Sequence, residues 1–191
     1  YAFKCAANVR NATSLGTGSV SVASTAVAKA KDIIGNTKGV KALVIGAGEM
    51  SELTIKHLLS SGFDVVLTSR DLKKAQILAD TFETNVSVEP YIELPNLLSR
   101  IPVMITATSA PYPIITKENA PSSSINRYWF DIAVPRDIDE NISLSGLEIF
   151  SVDDLQDIVN ENMSLRAEQA KMAYSIVSRM SMEFFEWLKS L

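Results

Sequence analysis

The chain is poor in the residues that build metal clusters and disulfides. It holds one cysteine and one histidine in 191 residues. A lone cysteine excludes an internal disulfide and a cysteine-cluster metal site, and a lone histidine excludes a His-rich one, so no metal ligands are assigned. No apolar run approaches the roughly 18 residues that suggest a membrane span, and no membrane contact is expected. Basic charge is not in excess. The formal net charge of −4 disfavours a broad nucleic-acid footprint, while leaving room for a small patch. No secretory pattern opens the chain, so a cytoplasmic setting is the simplest expectation. The hydrophobic fraction of 47% fits a packed core rather than disorder.

What is present centres on Val40-Lys-Ala-Leu-Val-Ile45-Gly46-Ala47-Gly48-Glu49-Met50-Ser51. A β-branched apolar run ends in Gly-x-Gly and a helical pattern follows. That order suits a dinucleotide pyrophosphate. The first glycine makes the tight turn, the second lets the backbone come close, and the helix N-terminus offers free N–H groups and partial positive charge. The third small position is Ser51, which leaves the helix–strand approach slightly less tight than Gly or Ala would. A second strand, Asp64 to Thr68, follows one helix later. NAD-binding units place an acid near the end of this strand; here it reads Thr68-Ser69-Arg70, with no acid until Asp71. A guanidinium with hydroxyls beside it suits a 2′-phosphate, so NADP(H) is read over NAD(H). The bland alternative is that Arg70 is a solvated residue at a helix start.

Residues 1–37 read as a connector with a linking helix. The connector includes Gly16-Thr-Gly18. The helical stripe runs from Ser19 to Ile34, with Ser19 or Ser21 as cap and Gly35-Asn36 as the stop. Residues 38–150 read as a nucleotide-binding domain. Its strands are expected at Ala42–Ile45, Asp64–Thr68, Val86–Val88, Val103–Ala107, Tyr128–Ile132 and Glu148–Phe150. Helices are expected at Glu49–Ser61, Leu72–Phe82 and Tyr91–Arg100. Alternating strands and helices, with continuous apolar strands, predict an α/β, Rossmann-like, doubly wound parallel sheet. Residues 151–191 read as one long α-helix. No Gly or Pro occurs from Glu148 to Leu191, and apolar residues recur every three or four positions. Ser151, Asp153 and Asp154 cap its start. So long a stripe exceeds what a small α/β core covers, which argues for another domain or subunit; packing back on its own domain is the alternative.

These motifs together resemble the glutamyl-tRNA reductase family, which acts first in tetrapyrrole (porphyrin) synthesis from glutamate. Gly46-Ala-Gly-Glu-Met50 is similar to the family's cofactor turn. Thr106-Ala-Thr-Ser-Ala-Pro111 resembles its motif after the fourth strand, and Asp131-Ile-Ala-Val-Pro-Arg-Asp-Ile138 its most distinctive one. Val152-Asp-Asp-Leu155, with Asn162 and Arg166, resembles the start of its spinal helix. Val9-Arg10-Asn-Ala-Thr13 and Ser19-Val-Ser-Val22 resemble the connector. Two departures stand out: Ser51 replaces the usual Gly, and Ser69-Arg70-Asp71 replaces Asn-Arg-Thr, with the Arg kept. The family's catalytic domain, with its Thr-Cys-Asn-Arg nucleophile motif, has no counterpart, since Cys5 lies in Phe-Lys-Cys-Ala-Ala. The resemblance therefore implies a central fragment without a catalytic residue of its own.

In that family a thiolate takes the glutamyl group from glutamyl-tRNA, and hydride from NADPH gives glutamate-1-semialdehyde. Carried over by motif, Gly46, Ala47, Gly48, Glu49, Met50 and Ser51 would cradle the pyrophosphate, with the Glu49 side chain turned away. Ser69 and Arg70 would hold the 2′-phosphate. Thr108, Ser109 and Ala110 would flank the nicotinamide ribose, and Ala133, Val134 and Pro135 the nicotinamide ring. The implied partners are glutamyl-tRNA, a second copy joined through the C-terminal helix, and glutamate-1-semialdehyde aminomutase. The competing readings are a shikimate-dehydrogenase-like NADP-dependent oxidoreductase domain and an NADPH-binding interaction module without turnover. Asp131, Arg136, Asp137 and Asp139 are read as fixing a loop or domain contact rather than as acid–base groups. His57 is read as a surface or packed histidine, and Lys73 and Lys74 as solvated.

Overall fold

The computed structural model describes residues 1–13, 21–83 and 85–190. Gly16-Thr-Gly18, the Ser19 cap and Leu191 lie outside them. In chain order the elements are α1 (Ala2–Ala12), α2 (Val22–Ile34), β1 (Lys41–Ile45), α3 (Glu49–Ser60), β2 (Asp64–Thr68) and α4 (Leu72–Ala79). There follow β3 (Val86–Val88), a 3-10 turn (Tyr91–Glu93), α5 (Leu94–Arg100), β4 (Val103–Thr106), β5 (Arg127–Asp131), β6 (Leu147–Phe150) and α6 (Val152–Lys189).

The six strands form one sheet in the order β3-β2-β1-β4-β5-β6, and every pairing is parallel. This is a doubly wound sheet whose strand order switches from one side of β1 to the other at β4, where such sheets leave a crevice at the strand C-termini. Both faces are covered, which explains the continuous apolar strands. Ala42, Val44, Val65, Leu67, Val103 and Ile105 pack with α2 and α3 through Ala26, Ala30, Ile55 and Leu58. Leu43, Ile45, Val66 and Met104 face the other way, against Leu97, Leu98, Trp129 and Ile138. Leu97 and Leu98 are 0% and 2% exposed, and burying each such side chain contributes about 2 kcal/mol.

The structure divides into two compact units, Ser21–Gln156 and Tyr1–Val20 with Asp157–Leu191. Residues 1–37, expected as a connector with a linking helix, are shared between the two units. Residues 2–12 are helical, although no side chain caps the start of α1 and none of its residues is buried. α2 belongs to the sheet unit: Ala23, Ala26 and Ala30 are fully buried in it. Ser21 caps α2 and completes a capping box with Ser24, and Gly35 ends it at φ 74°, a conformation that costs glycine little.

In the other unit, Asn8 Nδ2 lies 3.3 Å from Met180 Sδ, and Tyr1 meets Phe184 and Trp187 at ring-centroid distances of 5.1 and 5.6 Å. Met163, Leu165, Met172, Tyr174, Phe185 and Trp187 of α6 remain exposed. Cys5 is a half-buried free thiol on α1. Among the described residues no helix is long and apolar enough to cross a membrane, and no His, Cys, Asp or Glu cluster is placed to hold a metal.

Candidate functional site

A cavity of about 600 Å³ opens over the C-terminal ends of β1, β2 and β4, at the switch point of the sheet. Its floor is the β1–α3 turn. Gly46 donates its N–H to Thr68 O at 2.9 Å and stands at φ +113°, where an added Cβ would lie 2.7 Å from Ala107 O. Only glycine fits there. Gly48 differs: it is the N-cap of α3, and a Cβ on it would project into open space. No side chain caps α3, so its first-turn N–H groups are left for an anion.

Gly46, Ala47, Gly48, Glu49, Met50, Ser69, Arg70, Thr108 and Ser109 all line this cavity. Five other assigned residues do not. Ser51 is fully buried; its hydroxyl faces Gly46, 3.1 Å from where a Cβ would be, so it fills the helix–strand contact beneath the turn. Ala110 is also fully buried, its N–H turned back to Thr108 Oγ1 at 3.2 Å. Ala133, Val134 and Pro135 follow β5, which lies beyond β4 from β1 in the sheet. Ala133 is buried, its N–H bonded to Asp131 Oδ1 at 3.1 Å, while Val134 is 77% exposed and joins Pro135 through a cis peptide.

The cavity is also lined by residues outside the sequence motifs. Lys74 lies one helical turn beyond Arg70 and shares its wall, as do Asp71 and Tyr91. The spacing of Arg70 and Lys74 about the start of α4 was a readable signal; Tyr91, in an irregular turn, offered none. Burial pushes the Tyr91 phenol above its usual range, opposed by the nearby Arg70 charge.

Behind Thr108 the loop is held by Asp137. This fully buried carboxylate accepts hydrogen bonds from the Thr106 and Thr108 hydroxyls and from the Thr108 N–H at 2.9 Å. Its carbonyl accepts from Ile114 and Ile115, and Ile115 pairs with Ile138. Asp131 accepts from Ala133 and Ile138 N–H groups, and burial raises its carboxyl above the ordinary value, with Asp137 adding to the effect. Arg136 pairs with Asp153 at 2.8 Å. The bonding atoms of these acids are turned to backbone N–H groups and threonine hydroxyls, and those of Arg136 to Asp153.

The residues present fit a dinucleotide: a turn that excludes side chains, an uncapped helix N-terminus, and two cations on the wall where the second strand ends.

Residues 28–158 match the family model described as shikimate / quinate 5-dehydrogenase. Over all 191 residues the chain is 84% identical to a glutamyl-tRNA reductase of Aliarcobacter butzleri, covering 44% of that protein. Glutamyl-tRNA reductase from Methanopyrus kandleri superposes with a TM-score of 0.83 at 28% identity, over 98% of this chain and 50% of that one. Shikimate 5-dehydrogenase from Thermus thermophilus, solved with NADP(H) and shikimate, shares the fold with a TM-score of 0.50 at 18% identity, over 80% of this chain and 62% of that one. The chain thus spans less than half the length of the A. butzleri relative.

Proposed function

We propose that the chain, which belongs to the shikimate / quinate 5-dehydrogenase family and is 84% identical over its 191 residues to a glutamyl-tRNA reductase, holds NADPH for reduction of glutamyl-tRNA to glutamate-1-semialdehyde. One observation carries the reading: the Gly46–Gly48 turn, the uncapped start of α3 and the cations Arg70 and Lys74 line a single cavity.

In this assignment the N–H groups of Gly48, Glu49 and Met50 take the pyrophosphate. Arg70 and Lys74 take the 2′-phosphate, with Ser69 beside them. Thr108 and Ser109 take the nicotinamide ribose, with Thr108 held by Asp137. Ser51 acts by packing under the turn. Ala110, Ala133, Val134 and Pro135 flank the nicotinamide end without lining the cavity. Bound NADPH supplies a hydride; this chain's residues bind and orient it and keep the loops around it fixed. The nucleophilic thiol of that reaction is not assigned to Cys5, whose Phe-Lys-Cys-Ala-Ala setting does not match a Thr-Cys-Asn-Arg motif. A second copy is assigned to the exposed apolar residues of α6, and an aminomutase to the step after this one.

Titration of the chain with NADPH and with NADH, read by calorimetry or nicotinamide fluorescence, tests the proposal. NADPH binding tighter by about tenfold or more, as charge-assisted bonds to a phosphate imply, is expected. Equal or reversed preference would remove the 2′-phosphate assignment. Binding of neither would remove the site.

A further inference from the structure

The cavity wall beyond β2 carries charge of both signs. Arg70 and Asp71 are consecutive, and Lys74 follows one turn later on the same wall. Neither cation forms an ion pair among the described residues. Asp71 Oδ1 caps α4 by accepting from Lys74 N–H at 3.0 Å, while its Oδ2 has no hydrogen-bond partner among the described residues.

The cap does not require a carboxylate. Asn, Ser or Thr would serve the helix as well or nearly so. What remains to be explained is a negative charge on the wall where the 2′-phosphate is assigned. Two effects follow from it. A carboxylate disfavours a dianionic phosphate by direct repulsion and by offsetting the positive end of α4. It is also acceptor-only, so it suits the hydroxyl donors of an unphosphorylated ribose.

We propose that Asp71 sets the cofactor selectivity of this site, lowering its preference for NADPH and admitting NADH as a weaker second ligand. The inference rests on the dinucleotide reading above. The wall is thereby a compromise: Arg70 and Lys74 attract the phosphate, and Asp71 reduces the advantage that they confer.

The test is calorimetry of the 191-residue chain and of its Asp71→Asn and Asp71→Thr variants with NADPH, NADH and adenosine 2′,5′-bisphosphate. Both substitutions keep an α4 cap, so folding is preserved. The NADPH-to-NADH affinity ratio is expected to rise about three- to tenfold in both variants, through tighter NADPH or weaker NADH binding, and to fall back toward the wild-type ratio in about 0.5 M salt. The bisphosphate is expected to tighten in parallel. A ratio unchanged in both variants, or equal changes in both cofactors, would overturn the inference while leaving the dinucleotide site intact. Failure of the unsubstituted chain to bind either cofactor would overturn both.

Discussion

Gly46 and Ala107 are so closely apposed that a Cβ on the glycine would lie 2.7 Å from the alanine carbonyl oxygen. The contact joins the β1–α3 turn to the end of β4, so the sheet dictates the turn. Gly46→Ala meets both a backbone clash and a φ of +113°, and is expected to destabilise the sheet unit by about 2–4 kcal/mol. Gly48→Ala meets nothing within 4 Å and has an ordinary φ of −104°. It is expected to leave stability within about 1 kcal/mol and to weaken NADPH by about tenfold or more, because its methyl takes up cavity space. Urea unfolding with parallel titrations separates the two. Equal stability losses would contradict the distinction between them.

Arg70→Ala probes the second strand's end. Arg70 is exposed and forms no ion pair among the described residues, so its removal should not disturb the fold. NADPH affinity is expected to fall about ten- to a hundredfold, the worth of a charge-assisted pair, with NADH nearly unchanged. If NADPH and NADH weakened alike, Arg70 would not be reading the 2′-phosphate. Lys74→Ala is expected to act in the same direction and more weakly, since an ammonium lacks the planar fork of a guanidinium.

Each strand is legible in the sequence to within one residue at each end, because doubly covered strands leave continuous apolar runs. Val103 to Thr106 is entirely buried, and no polar alternation was needed to find it. The turn was legible because glycine at a positive φ beside a neighbouring backbone has few substitutes. α1 escaped because it lacks both a side-chain cap and a buried stripe, the two signals by which a helix is read. The 133–135 segment follows β5, as its sequence position implies, but the strand order that sets β5 beyond β4 from β1 is not written in local periodicity. Tyr91 and the buried side of Asp137 depend on loop folding alone.

Asp137→Ala removes the acceptor of three donors on Thr106 and Thr108. A buried site with donors left unpaired is expected to cost about 3 kcal/mol or more and to weaken cofactor binding, because Thr108 lines the cavity. Asp137→Asn keeps one acceptor oxygen, and a threonine hydroxyl can rotate to accept from the new amide. It is expected to cost about 1 kcal/mol. Urea midpoints for the pair give the comparison, and an Asn substitution as costly as Ala would mean that the negative charge, rather than the hydrogen bonding, holds the loop.

Asp131 gives the stability of the sheet unit a pH dependence whose sign is set by burial. It is 2% exposed, and loss of hydration raises its carboxyl above the unfolded value of 3.8 despite backbone N–H bonds that favour the anion. A carboxyl with a raised folded value binds its proton more tightly in the folded chain. Its contribution to stability is fully present below the unfolded value and is lost as pH rises through the folded one. Asp154 runs the other way: its Ser151 partners lower it, and its contribution is lost as pH falls. That opposing slope is shared by the parent chain and the Asp131→Asn variant and cancels between them. The stability advantage of the parent over Asp131→Asn is therefore expected to shrink as pH rises above about 4 and to level off once Asp131 is ionised. Urea unfolding of both proteins at a series of rising pH values measures it. An advantage that grew with pH would mean that the Ala133 and Ile138 N–H groups outweigh burial and that Asp131 is held as a stabilised anion.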